Sequence, residues 1–231
     1  MSVWSRIREA LGALAKGEGL AAVFERFRAP PERTVAFTIA VIALAAKMAK
    51  ADGRVTRDEI AAFRRIFVLP PGEERNAARV YNLARADIAG FEEYARRVKR
   101  MLHDRPEVLS DILEGLVYIA AADGHFHPGE AAFLDRIAGI FEIPEQDYRA
   151  IRARYLPGER DPWAILGLEP GASPEELRRR YRALVRRLHP DRMIARGVPE
   201  EARKLAEERL AAITAAYGEL LQEMEARPGE P

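Results

Sequence analysis

The chain contains no cysteine among its 231 residues. That absence removes disulfides, thiol chemistry and cysteine-ligated zinc together, and it fits a reducing compartment. Neither sign of charge dominates: 37 Lys and Arg stand against 36 Asp and Glu, so a strongly basic nucleic-acid binder is not expected. No apolar run approaches membrane length. The longest, Val35 to Ala46, is 12 residues and ends at Lys47, whereas a spanning helix needs about 20. Lys16 and Glu18 interrupt the first apolar stretch, which makes it a poor secretory leader. The expected location is cytoplasmic, without a transmembrane segment. Strand-like alternation is scarce too, and no glycine-rich phosphate loop, Ser-His-Asp pattern or glycosidase-like carboxylate pair is present. Neither an enzyme nor a bound cofactor is expected.

What the sequence does carry is helical period almost throughout, with a hydrophobic content of 48% that suffices for a packed core. The expected class is all-α. Pro30-Pro31 and Pro157-Gly158-Glu159 punctuate the chain. They give an N-terminal helical arm over 1–32, a helical domain over 33–156 and a C-terminal module over 160–226. In the arm, Trp4, Ile7, Leu11 and Leu14 can form a short amphipathic helix that packs on the next domain or lies on a membrane or partner surface.

The middle region repeats itself. Ala51-Asp52-Gly53, Glu59 and Ile66 recur as Ala122-Asp123-Gly124, Glu130 and Ile137, each pair separated by the same 71 residues. Two helix–turn–helix units imply a bundle with a two-fold internal repeat. A calcium loop of EF-hand type fails the test of its ligands. With Gly53 as the loop glycine, positions 1 and 3 would be Met48 and Lys50, and in the second copy Ile119 and Ala121. Gly53 and Gly124 serve instead as left-handed helix terminators, Thr56-x-x-Glu59 as a capping box, and His127-Pro128 as a helix start. A metal or anion site built from Asp52, Glu59, Asp123 and Glu130 stays open as the alternative. His125 and His127 read as a solvated turn, and His103 as isolated, so no metal ligand is assigned.

The C-terminal module carries the sharpest signals. Asp161 caps a short helix, Pro162 to Leu166, that Gly167 ends. Ser173-Pro174-Glu175-Glu176 opens a longer one with a serine cap, a first-turn proline and a glutamate that completes a capping box. Leu177, Tyr181, Leu184, Val185 and Leu188 form its apolar stripe, while Arg178, Arg179, Arg180, Arg182, Arg186 and Arg187 load the other face. His189-Pro190-Asp191 stops that helix as a rigid, polar, exposed tripeptide and opens a loop. A further helix begins near Glu200, with Leu210, Ile213, Tyr217, Leu220 and Leu221 aligned. The two long helices should pack as an antiparallel hairpin.

These residues resemble two known families. Pro162-Trp163-x-x-Leu166-Gly167, Leu177-x-x-x-Tyr181, His189-Pro190-Asp191 and Ile213-x-x-Ala216-Tyr217, in that order, resemble the J domain of the DnaJ family. The paired helical units with Ala-Asp-Gly turns resemble a TerB-like domain. Their combination resembles DjlA-type co-chaperones, which carry an N-terminal membrane anchor; no spanning segment is expected here, so membrane localisation is not carried over from the resemblance. Nothing resembles the Gly/Phe-rich linker, the cysteine zinc module or the client-binding domain of full-length DnaJ.

The resemblance implies a co-chaperone that binds a DnaK-type chaperone and stimulates its ATP hydrolysis without hydrolysing ATP itself. The partner-binding residues it implies are His189, Pro190, Asp191, Arg178, Arg179, Tyr181, Arg182, Arg186 and Arg187. His189 and Asp191 make polar contacts, Pro190 holds their geometry, and the arginines steer an acidic groove. Leu177, Tyr181, Leu184 and Leu188 read as core, with the Tyr181 hydroxyl at the interface rim. The TerB-like domain would supply targeting or client specificity. The alternative is a metal- or stress-responsive binding protein acting through the TerB-like domain, with no nucleic acid as partner in either case.

Overall fold

The computed structural model describes residues 7, 32–52, 57–66, 72, 74–86, 90–156, 158–196 and 198–226. Eleven α-helices and one short 3-10 turn run through them, and no strand occurs among the described residues. The middle region holds α1 (Glu32–Asp52), α2 (Arg57–Ile66), α3 (Glu74–Ala86), α4 (Phe91–Met101), α5 (Pro106–Ala120), α6 (Pro128–Phe141) and α7 (Glu145–Tyr155). The C-terminal module holds α8 (Pro162–Leu166), α9 (Pro174–Arg187), α10 (Pro190–Ala195), the 3-10 turn Glu200–Ala202 and α11 (Arg203–Ala226).

The long apolar run becomes the central helix of the bundle. Residues 37–48 of α1 are buried on every side, because α3, α4, α5 and α6 all pack against it. Lys47, which ends the run, is buried as well, with its ammonium 4.9 Å from the centre of the Tyr94 ring. No helix among the described residues is long and apolar enough to cross a membrane.

The second Asp-Gly turn is described in full. Gly124 ends its segment at φ +76°, the Asp123 carboxylate accepts the His125 backbone N–H at 2.8 Å, and Pro128 starts α6 behind His127. The Glu130 carboxylate accepts the His127 backbone N–H at 3.0 Å, closing one side of a capping box. Gly53 and Thr56 of the first turn lie outside the described residues, as do the side chains of Asp52 and Glu59, and Pro30, Pro31 and Pro157. Of the arm's apolar set only Ile7 is described, and it is buried in the core. Trp4, Leu11 and Leu14 lie outside the described residues.

In the C-terminal module the caps form as their residue types require. The Asp161 carboxylate accepts from the N–H groups of Trp163 (2.9 Å) and Ala164 (3.3 Å), and Gly167 ends α8 at φ +63°. Ser173 Oγ accepts the Glu176 N–H at 3.2 Å while the Glu176 carboxylate accepts the Ser173 N–H at 3.1 Å. Helices α9 and α11 bury Leu177, Leu184, Ile213, Ala216 and Leu220 between them and α8, each large side chain contributing roughly 1.5–3 kcal/mol. The pair is antiparallel. Arg203, at the start of α11, reaches Asp191 just beyond the end of α9, while Tyr181 stacks on Tyr217 further along both helices.

One expectation needs correction. The segment after α9 is not simply a loop: Pro190 starts a further short helix, α10, for which His189 is the cap. Proline at the first helical position explains it, since its fixed φ suits that site and its missing N–H has no partner to lose. Met193, Val198, Ala202, Leu205 and Ala206 bury into the same core as the middle region, so the turn from α10 to α11 rests on the preceding bundle.

Candidate functional site

The His-Pro-Asp tripeptide sits at the junction of α9 and α10. His189 and Asp191 are 51% and 71% exposed at their side chains, but Pro190 is buried. The expectation of three exposed residues therefore holds for two of them, with the proline ring lying beneath as a rigid support. His189 Nδ1 accepts the backbone N–H of Asp191 at 3.3 Å. In the neutral tautomer that satisfies this bond, Nε2 carries the proton and can donate outward. One Asp191 oxygen lies 3.5 Å from His189 Nδ1 and the other 3.6 Å from the Arg203 guanidinium. The tip thus presents one donor and one anion, held about a common turn.

The arginines of α9 do not form one face. Arg178, Arg179, Arg182 and Arg186 are exposed, and the single ion pair they make among the described residues is Arg179 with Glu176 at 3.6 Å, i to i+3. Arg180 turns inward, and its Nε donates to the Leu166 carbonyl at 2.7 Å, closing the C-terminal end of α8. Burial, followed by the like charge of Arg187, pulls the Arg180 guanidinium below its usual range, with Asp147 opposing. Arg187 is exposed but lines, with Arg180, a cleft of about 260 Å³ whose other wall includes Ile143, Asp147 and Arg154. The middle region therefore faces one flank of α9 across this cleft, while Arg178, Arg179, Arg182 and Arg186 point to solvent. Tyr181 is half-buried, its ring centre 4.2 Å from that of Tyr217 at an interplanar angle of 11°, with its hydroxyl 3.4 Å from Thr214 Oγ1.

Beneath the cleft lies a cluster that the sequence reading missed. Asp111 and Glu114 of α5 are 2% and 1% exposed, and Arg209 of α11 is 1% exposed. The Arg209 guanidinium donates to Asp111 Oδ1 at 2.8 Å and pairs with Glu114. Glu114 Oε1 accepts from Arg154 Nε at 3.0 Å and from the Tyr155 hydroxyl at 2.7 Å. The second oxygen of Asp111 takes Arg196 Nη2 at 3.1 Å. Burial alone would push the Glu114 carboxyl up, but Arg154 and Arg209, with the Tyr155 hydroxyl, outweigh it and hold it below the usual carboxylate range. Burial raises the Tyr155 phenol well above its usual value, and the Glu114 charge adds to that. The signals were in the sequence: two acids within the apolar run of α5, and an arginine on the stripe Leu205, Arg209, Ile213.

The remaining candidates are local. Asp123 and Glu130 are used by backbone N–H groups of their own turn, and the His125 and His127 rings lie 6.5 Å apart. His103 Nδ1 sits 3.0 Å from the Arg100 carbonyl. Among the described residues no group of three or more His, Asp or Glu side chains is placed to hold a metal ion.

Residues 38–153 match the family model described as Tellurite resistance protein TerB, and residues 161–228 match the DnaJ domain. The chain is similar to proteins named Co-chaperone protein DjlA. That of Coxiella burnetii is 27% identical over 194 residues, covering 75% of this chain and 72% of that one. That of Vibrio cholerae is 29% identical over 219 residues, with 80% and 77% covered. That of Escherichia coli is 24% identical over 213 residues, with 80% and 79% covered. No solved structure matches the chain.

Proposed function

The chain belongs to the TerB family and carries a DnaJ domain behind the matching region, and from that premise we propose that it is a co-chaperone that binds a DnaK-type chaperone and stimulates its ATP hydrolysis. The observation that carries this reading is the tip. His189 and Asp191 project into solvent at the end of a helix whose free flank displays Arg178, Arg179, Arg182 and Arg186. Relatives over most of the chain bear the name Co-chaperone protein DjlA.

The geometry supports a physical division of labour. Four guanidiniums in high-dielectric surroundings contribute little to the fold but attract an acidic groove over a Debye length, about 8 Å at physiological salt. They set the encounter. The tip then acts on a partner that exists in two conformations, and it shifts their balance only by binding one better than the other. His189 Nε2 donates, Asp191 accepts, and buried Pro190 keeps the two at a fixed angle. Arg187, near the cleft, and Tyr181, stacked on Tyr217, flank this surface. The TerB-family part supplies targeting or the choice of client.

The test compares ATP hydrolysis by a DnaK-type chaperone alone, with this chain, and with its His189→Gln variant. The reading expects stimulation by the wild type, loss of it in the variant, and unchanged helicity. Equal rates with wild type and variant would remove it.

A further inference from the structure

The turn that carries the tip meets the TerB-family part of the chain through the buried Met193 and through one polar side chain, Arg196. Arg196 follows α10 immediately, and its two terminal nitrogens reach opposite ways. Nη1 donates to the main-chain oxygen of Arg187, the last residue of α9, at 3.3 Å, and Nη2 donates to Asp111 Oδ2 on α5 at 3.1 Å. Between these anchors lie Leu188, the tripeptide and α10. Asp111 cannot swing to follow the loop, because it is buried and Arg209 holds its other oxygen at 2.8 Å. Met193, from the underside of α10, is buried in the larger core.

Local hydrogen bonds close the turn but do not aim it. Leu188 N–H to Leu184 O at 2.8 Å and Arg192 N–H to His189 O at 2.9 Å would survive a rotation of the whole turn about the end of α9. The planar fork of a guanidinium, fixed on two oxygens from different elements, resists that rotation. We infer that Asp111 is a positioning residue for the His-Pro-Asp tip, acting through Arg196, so that the TerB-family domain sets the angle at which the tip meets its partner. The inference rests on the co-chaperone reading and assigns that domain a part in the stimulation itself.

The experiment uses the full chain with Arg196→Gln, Arg196→Lys and Asp111→Asn, read as stimulated ATP hydrolysis by a DnaK-type chaperone across a titration. Arg196→Gln should lower the maximal rate by roughly tenfold to a hundredfold, since misplacing a group by an ångström can cost about a hundredfold. The half-saturating concentration should stay the same, because the free arginines of α9 are untouched. Arg196→Lys keeps the charge but cannot bridge both oxygens, so it should remain close to Arg196→Gln. Asp111→Asn should reproduce the loss, and the double variant should be no worse than either single one, as expected of two ends of one tie. A wild-type maximum in Arg196→Gln would overturn the inference. So would a loss seen wholly as weaker half-saturation, or unfolding of that variant, which would make the residue structural.

Amide exchange in the unpartnered chain reads the tie without any chaperone. Faster exchange at Leu188, Arg192 and Met193 in Arg196→Gln, with the thermal midpoint kept, supports it, and unchanged exchange overturns it. Failure of the wild type to stimulate would sink the co-chaperone reading alone, leaving exchange to decide the tie.

Discussion

Two sets of arginines in this chain meet opposite conditions. Arg178, Arg179, Arg182 and Arg186 stand in solvent with one loose carboxylate contact among them. Arg154 and Arg209 are wedged against Asp111, Glu114 and Tyr155 where α5, α7 and α11 converge. The same side chain is a long-range attractor in the first place and a structural pin in the second. In water its charge costs nothing to keep and reaches outward. When buried, it must be matched nearly atom for atom, and removal of a partner strands the rest.

The largest effect should follow from breaking the buried set. Glu114→Gln leaves Arg154 and Arg209 short of a countercharge and should cost about 3 kcal/mol or more of stability, read as a lower urea midpoint. Arg182→Ala on the free flank should stay within about 0.5 kcal/mol of wild type. Equal costs for the two variants would erase the distinction.

Acid should separate the sets further. The folded Glu114 carboxyl sits below its ordinary range, so the unfolded chain binds more protons as pH falls through that interval. Its stabilising contribution is therefore complete above the ordinary glutamate value, about 4.3, and is lost as pH drops beneath it toward the folded value. Unfolding followed from pH 7 downward should show this loss in wild type and in Arg182→Ala, and a shallower slope in Glu114→Gln.

The exposed set should reveal itself in rate rather than stability. Replacing Arg178, Arg182 and Arg186 together by glutamine should slow association with a DnaK-type chaperone by about tenfold at low salt. That gap should narrow as salt rises, and stopped-flow binding at two ionic strengths would read it. A smaller effect belongs to Gly167, whose φ of +63° disfavours any side chain. An added Cβ would also meet Arg180 Nη2 at 2.6 Å. Gly167→Ala should cost roughly 1–2 kcal/mol, measured by thermal unfolding.

Most of the fold was legible because its signals are local. The stripe of Leu177, Tyr181 and Leu184, the Ser173 capping box and the Asp161 cap each depend on residues within one or two helical turns. The His-Pro-Asp tip was legible for the same reason, although proline at its centre both starts a helix and buries itself. What escaped depends on partners far along the chain. Arg180 looked like its neighbours until the Leu166 carbonyl, 14 residues back, claimed it. Asp111 and Arg209 are 98 residues apart, and each taken alone is only a polar interruption of an apolar stripe. Periodicity reports which face is buried, but not what lies across it.

The most direct test of the account is single-turnover ATP hydrolysis by a DnaK-type chaperone at saturating concentrations of this chain, compared between wild type and Asp191→Asn. The account predicts acceleration by the wild type and a rate close to the unstimulated one with Asp191→Asn, while both chains bind with the same salt dependence. Equal acceleration by the two would contradict it.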